Sequence, residues 1–173
     1  MNAIRRAEER DIPALLRLLV QVDMVHHRLR PDLFRGPATK YDEDELRALL
    51  RDGDRPVFVY VGEDGAVLGY AFCILQRREA HPVMTDILTL YIDDLCVDEA
   101  VRGRHVGRSL FDFVVGYARE RGCYNVTLNV WSANRDAMRF YERCGLVPQK
   151  VGMEMILNGG DREENPGENP EIS

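Results

Sequence analysis

Apolar residues recur along this chain with two periods, 3.6 and 2, and they mark out its elements in turn. Ala3–Ala7 reads as a short opening strand. Leu15, Leu18, Leu19 and Val22 then fall at helical spacing, behind Asp11 as a helix cap and Pro13 in the first turn. After Val25 the run H-H-R-L-R-P-D-L-F-R-G-P holds two prolines and no clean period, which predicts a loop or broken helix. Asp42 caps a second short helix ending near Gly53. Pro56–Gly62 and Val67–Leu75 read as strands joined at the hairpin dipeptide Asp64-Gly65. A charged link leads to the strand Met84–Val97, which from Leu90 on is apolar on both faces apart from Asp93 and Asp94, hence a central one. Val106–Arg121 is a helix stopped by Gly122. Val126, Leu128 and Val130 alternate along a strand over Tyr124–Val130, and another helix runs from Asn134 to Gly145. Leu146–Leu157 is expected to be a final strand, kinked at Pro148 and Gly152.

The alternation of strands and helices puts the chain in the α/β class, and 173 residues are enough for one domain with a real core. That domain is expected to span residues 1–157. The stretch 158–173, rich in Gly, Pro, Glu and Asn, is expected to be a disordered acidic tail. The net charge is −6, but Asp161–Ser173 alone holds five acids and one arginine. The body is therefore nearly neutral, which gives a nucleic-acid partner no support. No long apolar run or signal peptide is visible, so no membrane partner is expected and a cytoplasmic location is the default. Cys73, Cys96, Cys123 and Cys144 are scattered without a C-x-x-C pair, and read as small buried hydrophobes rather than a zinc site. Adjacent His26 and His27 would point in different directions on a helix, which argues against a shared metal, and no metal is expected.

The chemistry gathers after the central strand. Arg102, Gly103, Arg104, His105, Val106, Gly107 and Arg108 form a basic, glycine-containing loop that opens a helix. Free N–H groups, the positive end of the helix dipole and three arginines make this junction an anion site, especially for phosphate. It is neither a Walker loop nor G-x-G-x-x-G. The pattern R-x-x-H-x-G resembles the R/Q-x-x-G-x-G/A pyrophosphate loop of the GNAT N-acetyltransferase superfamily. His105 stands at that family's first glycine, and must either avoid a positive φ or accept strain. A second run, N-R-D-A-M-R-F-Y-E-R-C-G-L over residues 134–146, is similar to the family's N-x-x-A-x-x-F-Y-x-x-x-G-F segment, with Leu146 for the usual Phe. The two motifs stand in the family's order and at its usual separation.

The resemblance implies the GNAT fold: a mixed central sheet with helices on both faces and two parallel strands that splay apart. It implies acetyl-CoA as the acetyl donor. The pantetheine arm would bond backbone groups of Leu95, Cys96 and Val97 and the side chain of Asn134. The pyrophosphate would lie on the N–H groups of Gly103 to Arg108, beside Arg102. Asn134 also reads as a plain helix cap, and the two roles are compatible.

Acetyl transfer to an amine requires that the amine lose a proton, that the developing oxyanion meet a donor, and that the leaving thiolate be protonated. A tyrosine hydroxyl suits the last task, and Tyr141 matches the family's general acid. The base is less clear. The ribosomal-protein alanine acetyltransferases carry a Glu five residues before the motif Asn, where this chain has Asn129. Spermidine/spermine acetyltransferases carry L-Y-L-E-D on the fourth strand. Residues 90–94 here read L-Y-I-D-D, so Asp93 matches their Glu. Asp93 and Asp94 also read as a strand-bulge pair bonding local backbone. The expected function is transfer of acetyl from acetyl-CoA to a primary amine of a small molecule. The alternatives are a protein N-terminal or lysine acetyltransferase and a non-catalytic acyl-CoA-binding module. The acidic pair favours a cationic acceptor. The histidines and arginines of the 26–41 stretch favour an anionic group on it. Met153, Met155 and Leu157 give the final strand one apolar face and an open edge, which predicts a homodimer.

Overall fold

The computed structural model describes residues 3–157, so the stretch expected to form an acidic tail lies outside the described residues. Five strands form one sheet in the order β1 (Ala3–Arg6), β2 (Val57–Val61), β3 (Val67–Arg78), β4 (Ile87–Val97) and β5 (Asn125–Leu128). The first three pairings are antiparallel and β4–β5 is parallel, which gives the expected mixed sheet. Helices α1 (Ile12–Leu29) and α2 (Glu43–Leu50) cover one face. Their core unites Leu15, Leu18, Leu19, Leu46 and Leu49 with Val57, Val59, Tyr70 and Phe72. Helices α3 (Val106–Glu120) and α4 (Arg135–Arg143) cover the other. There Phe111, Val114 and Ala118 pack on Phe58, Ala71, Cys73, Leu90 and Ile92, with Phe140 and Tyr141 alongside.

Several boundaries differ from the sequence expectation for local reasons. Asp42 caps α2 as expected, accepting from the Glu45 N–H at 2.8 Å while Glu45 accepts from the Asp42 N–H. Asp11 does not cap α1. It closes a 3-10 turn, accepts from the Glu8 N–H at 2.8 Å and pairs with Arg5 at 2.7 Å. Helix α1 runs on through His26 and His27 to Leu29, two residues short of the first proline of that stretch. His27 then bonds the Phe34 carbonyl through Nδ1 at 2.7 Å and fastens the α1–α2 connection. A side chain at Gly36 would strike that imidazole, since a Cβ there would lie 2.8 Å from it.

Two departures bear on the site. The expected final strand is not formed: residues 146–157 have no strand pairing, and β5 is the edge of the sheet. Met153 and Met155 are 89% and 83% exposed, so the apolar alternation of that segment faces outward. Pro148 lacks the N–H a ladder needs, and Glu154 is drawn to Arg30 at the end of α1, at 2.6 Å. The second departure is a bulge in β4. Phe72 stands opposite Asp94 and Cys73 opposite Ile92, so Asp93 has no partner across the ladder. The extra residue inverts the alternation. Leu90 and Ile92 point toward α3, as does Leu95, while Asp93 and Asp94 both meet the α1/α2 side.

Candidate active site

The pairing of β4 with β5 spans Thr89↔Asn125 to Ile92↔Leu128 and stops there. Beyond Ile92, β4 continues to Val97 held only by β3, through Leu95↔Ala71, Cys96↔Tyr70 and Val97↔Gly69. One edge of β4 over Asp93–Val97 thus borders a wedge with unpaired backbone groups. This is where Leu95, Cys96 and Val97 were expected to bond an extended ligand. On the opposite flank stands α4, capped by Asn134, whose Oδ1 accepts from the Ala137 N–H at 3.1 Å. The cap leaves the Asn134 Nδ2 group available as a donor.

At one end of the wedge lies the start of α3. Asp98 orders the approach. It accepts from Arg17 at 2.5 Å and from the Ala100 N–H at 3.1 Å. Gly103 has φ +82, which glycine adopts without penalty. His105 has φ 61 and ψ 9, so of the two options open to it the chain takes the strained left-handed conformation. The N–H groups of Val106, Gly107 and Arg108 follow as first-turn donors with no intrahelical acceptor. A Cβ at Gly107 would lie 3.3 Å from Val97 Cγ2 and 3.4 Å from Phe140 Cζ, so α3 approaches β4 and α4 as closely as glycine permits. The three loop arginines diverge. Arg102 is close enough for its charge to pull the Cys96 thiol's pKa down, against the larger effect of burial, which pushes it up. Arg108 pairs with Asp112 at 2.9 Å and donates to the Arg143 carbonyl at 3.3 Å. Arg104 lines a separate concavity with Tyr60 and Asp64 at the β2–β3 turn, and its N–H is taken by the Val101 carbonyl. Its side chain is therefore not gathered into the wedge.

Tyr141 lies against Phe111 and Phe140 on the α3/α4 side. Its hydroxyl has no hydrogen-bond partner among the described residues, yet no buried polar side-chain atom is left unsatisfied. The ring is therefore packed while the oxygen stays open to the cleft. Burial, then the nearby Asp94 charge, raises the phenol above its ordinary range, so it keeps its proton at neutral pH.

The two carboxylates made neighbours by the bulge have different surroundings. Asp94 is half-buried and accepts from the Tyr70 hydroxyl at 2.7 Å. Burial pushes its carboxyl up despite that bond. Asp93 is nearer the surface. Its Oδ2 receives Lys40 Nζ at 2.5 Å and stands 3.5 Å from the Tyr41 hydroxyl. Burial lowers the basicity of Lys40, but the Asp93 hydrogen bond and charge together outweigh it and hold the ammonium above its ordinary range. Cys73 and Cys96 are buried, and burial raises both thiols to about 12, which removes them as thiolate nucleophiles at neutral pH.

On the α1/α2 side the α1–α2 connection meets the loop after β5. Phe34 packs on His26 at 5.0 Å and edge-on to Trp131 at 5.4 Å. Asn129 donates to the Tyr91 hydroxyl at 3.3 Å instead of facing a proton-transfer partner. Lys40, Tyr70 and Trp131 were not singled out from the sequence. For Lys40 a signal existed: lysine occurs only at Lys40 and Lys150, the rest of the 23 Lys and Arg residues being arginine. The others depend on long-range contacts that carry no local pattern. Among the described residues no group of three His, Cys, Asp or Glu side chains could hold a metal ion, and no helix is long and apolar enough to cross a membrane.

Comparison with known proteins agrees with this geometry. A mutant of the BH1408 protein from Bacillus halodurans is 32% identical and superimposes with a TM-score of 0.86, covering 90% of this chain and 99% of that one. Glucosamine 6-phosphate N-acetyltransferase 1 of Oryza sativa subsp. japonica is 38% identical over 112 residues, which is 64% of this chain and 62% of that protein. Streptothricin acetyltransferase of Streptomyces lavendulae is 34% identical over 113 residues, 65% of this chain and 54% of that protein. The chain thus spans less than two thirds of the length of these two relatives. The Acetyltransferase (GNAT) family matches residues 22–146. With the open wedge between β4 and β5 and the glycine-tight start of α3, this match establishes that the chain belongs to the GNAT acetyltransferase family.

Proposed function

We propose that this protein is an acetyl-CoA-dependent N-acetyltransferase that acts on a primary amine of a small molecule by direct transfer. The observation that carries the proposal is the wedge itself: an open β4 edge with the Tyr141 hydroxyl on one flank and the Asp93/Asp94 pair on the other. The residues fit the donor molecule. Gly107 leaves the room that a side chain would fill, the first-turn N–H groups of α3 would meet phosphate, and Leu95 to Val97 offer backbone partners to the pantetheine arm. Bound acetyl-CoA supplies a thioester as the acyl donor.

Around it the chain's own residues would divide the work. Asp93 accepts a proton from the acceptor's ammonium, directly or through a water, because an ammonium has no lone pair for attack. Tyr141 protonates the leaving sulfur. Phe34, Trp131 and the Arg30–Glu154 pair narrow the acceptor side, which favours a small amine over an extended peptide. The named activities of the two curated relatives, on glucosamine 6-phosphate and streptothricin, support that class. A homodimer is also proposed. The exposed apolar positions of residues 146–157 and the open edge of β5 would bury and pair with each other between two copies. A cytoplasmic location accords with this chemistry.

Release of free CoA in the presence of an amine panel, with a peptide panel alongside, tests the activity. Turnover of small amines supports the proposal. Turnover of peptides alone would replace it with a protein acetyltransferase. Tight acetyl-CoA binding without any turnover would leave a binding module.

A further inference from the structure

Arginine supplies the cation in every ion pair between described residues except one, that of Lys40 with Asp93. The exception sits at the candidate base. For holding a carboxylate, arginine is the stronger choice, because its planar fork binds in two places. What lysine has and arginine lacks is a primary amine that becomes a nucleophile on losing a proton. Lys40 is one of only two lysines in the chain, and Nζ lies 2.5 Å from Asp93 Oδ2. That is direct hydrogen-bond contact, which a base needs in order to take a proton. The ammonium also lies 5.4 Å from the centre of the Tyr41 ring, which helps to hold it there. Asp93 lies just beyond Ile92, the last β4 residue paired with β5, so the pair places the amine at the mouth of the open β4 edge.

We propose that Lys40 is an acceptor built into the chain: the protein acetylates its own Lys40. The proposal rests on the acetyltransferase reading above and adds a modification site to it. Asp93 takes a proton from the Lys40 ammonium. The freed Nζ forms a bond to the acetyl carbonyl carbon, the carbon–sulfur bond breaks, and the departing sulfur receives the Tyr141 proton. The acylated nitrogen gives its second proton to the Tyr141 phenolate, Asp93 releases its proton to solvent, and the products are Nε-acetyl-lysine 40 and free CoA, with no oxidant or further reactant required. Acetylation removes the positive charge, so the pair with Asp93 is lost and the carboxylate becomes free for the ammonium of an external amine.

The second lysine is a control within the same molecule. Lys150 lies on the exposed 146–157 segment and forms no ion pair among the described residues. Uncatalysed acetylation by the thioester would favour the exposed Lys150, because a paired ammonium is the poorer nucleophile. Purified protein is incubated with isotopically labelled acetyl-CoA, digested, and the label at each lysine is quantified by mass spectrometry. Label at Lys40 exceeding that at Lys150 by roughly 10²-fold is expected, the range a positioned acid and base supply. Tyr141→Phe should lose most of that preference, and Lys40→Arg should take up no label at position 40. Equal labelling, or preference for Lys150, would overturn the proposal. An unlabelled Lys40 in protein that acetylates a test amine would overturn it while leaving the acetyltransferase reading intact. Protein that binds acetyl-CoA but modifies neither amine nor Lys40 would overturn both.

Discussion

Tyr141 and the two aspartates carry the residue-scale predictions. Tyr141→Phe keeps the packed ring and removes only the hydroxyl open to the cleft. kcat should fall by roughly 10²-fold or more with acetyl-CoA affinity unchanged, as calorimetry and steady-state kinetics would report. A wild-type kcat would refute the acid role. Asp93→Asn should do comparable harm at neutral pH, and the deficit should shrink in alkaline buffer, where more of the acceptor is already free amine. Asp94 differs because burial raises its carboxyl, so over part of the pH range the folded chain holds a proton that the unfolded chain releases. Stability contributed by this group therefore falls as pH climbs from the ordinary carboxylate range toward the raised one. Asn can still accept the Tyr70 bond and carries no charge. The melting temperature of Asp94→Asn should exceed the wild type's by a few degrees at pH 7, and the two should converge in acid.

At the scale of elements, the entry to α3 combines two opposed requirements. The loop must expose first-turn N–H groups, and it does so with His105 in the left-handed region. His105→Gly relieves that conformation, though glycine also gains freedom in the unfolded chain. A net gain of up to about 1 kcal/mol is expected in denaturant titrations, with cofactor binding retained. Gly107→Glu works the other way. It sets a carboxylate against the positive end of the helix, where the pyrophosphate is proposed to lie, with Val97 and Phe140 close by. Heat of acetyl-CoA binding should vanish while circular dichroism shows a folded protein. Unaltered affinity would displace the phosphates from this loop.

For the whole molecule, the open question is what covers residues 146–157 and the β5 edge. A monomer with Met153 and Met155 this exposed leaves apolar surface in water, and β5 has strand pairing on one side only. Light scattering should give a dimer mass at micromolar concentration. Met153→Glu combined with Met155→Glu should give a monomer, because two carboxylates cannot be buried unpaired in that contact. A monomer mass for the unmodified chain would show that the segment builds no dimer.

The chain's own residues determined the class of fold and the elements that carry the candidate site. Periodicity marked the helices and strands, and the basic loop and the 134–146 motif stand at consecutive positions whose local geometry a short window contains. The order of elements follows from them, as does the placement of Tyr141 on the helix that Asn134 caps. Tertiary structure decided the rest, because it depends on partners far apart in the chain. A bulge is invisible in the alternation of β4 until the register against β3 is known, and that register turned Asp93 and Asp94 onto one face. The extension of α1 past Val25 and the His27–Phe34 bond that folds the connection back are likewise set by packing. So is the fate of the final segment, which alternates like a strand but pairs with no strand in this chain. Lys40 shows the division most clearly. Its rarity can be counted in the sequence, but its meeting with Asp93, 53 positions away, exists only once the sheet and the α1–α2 connection have come together.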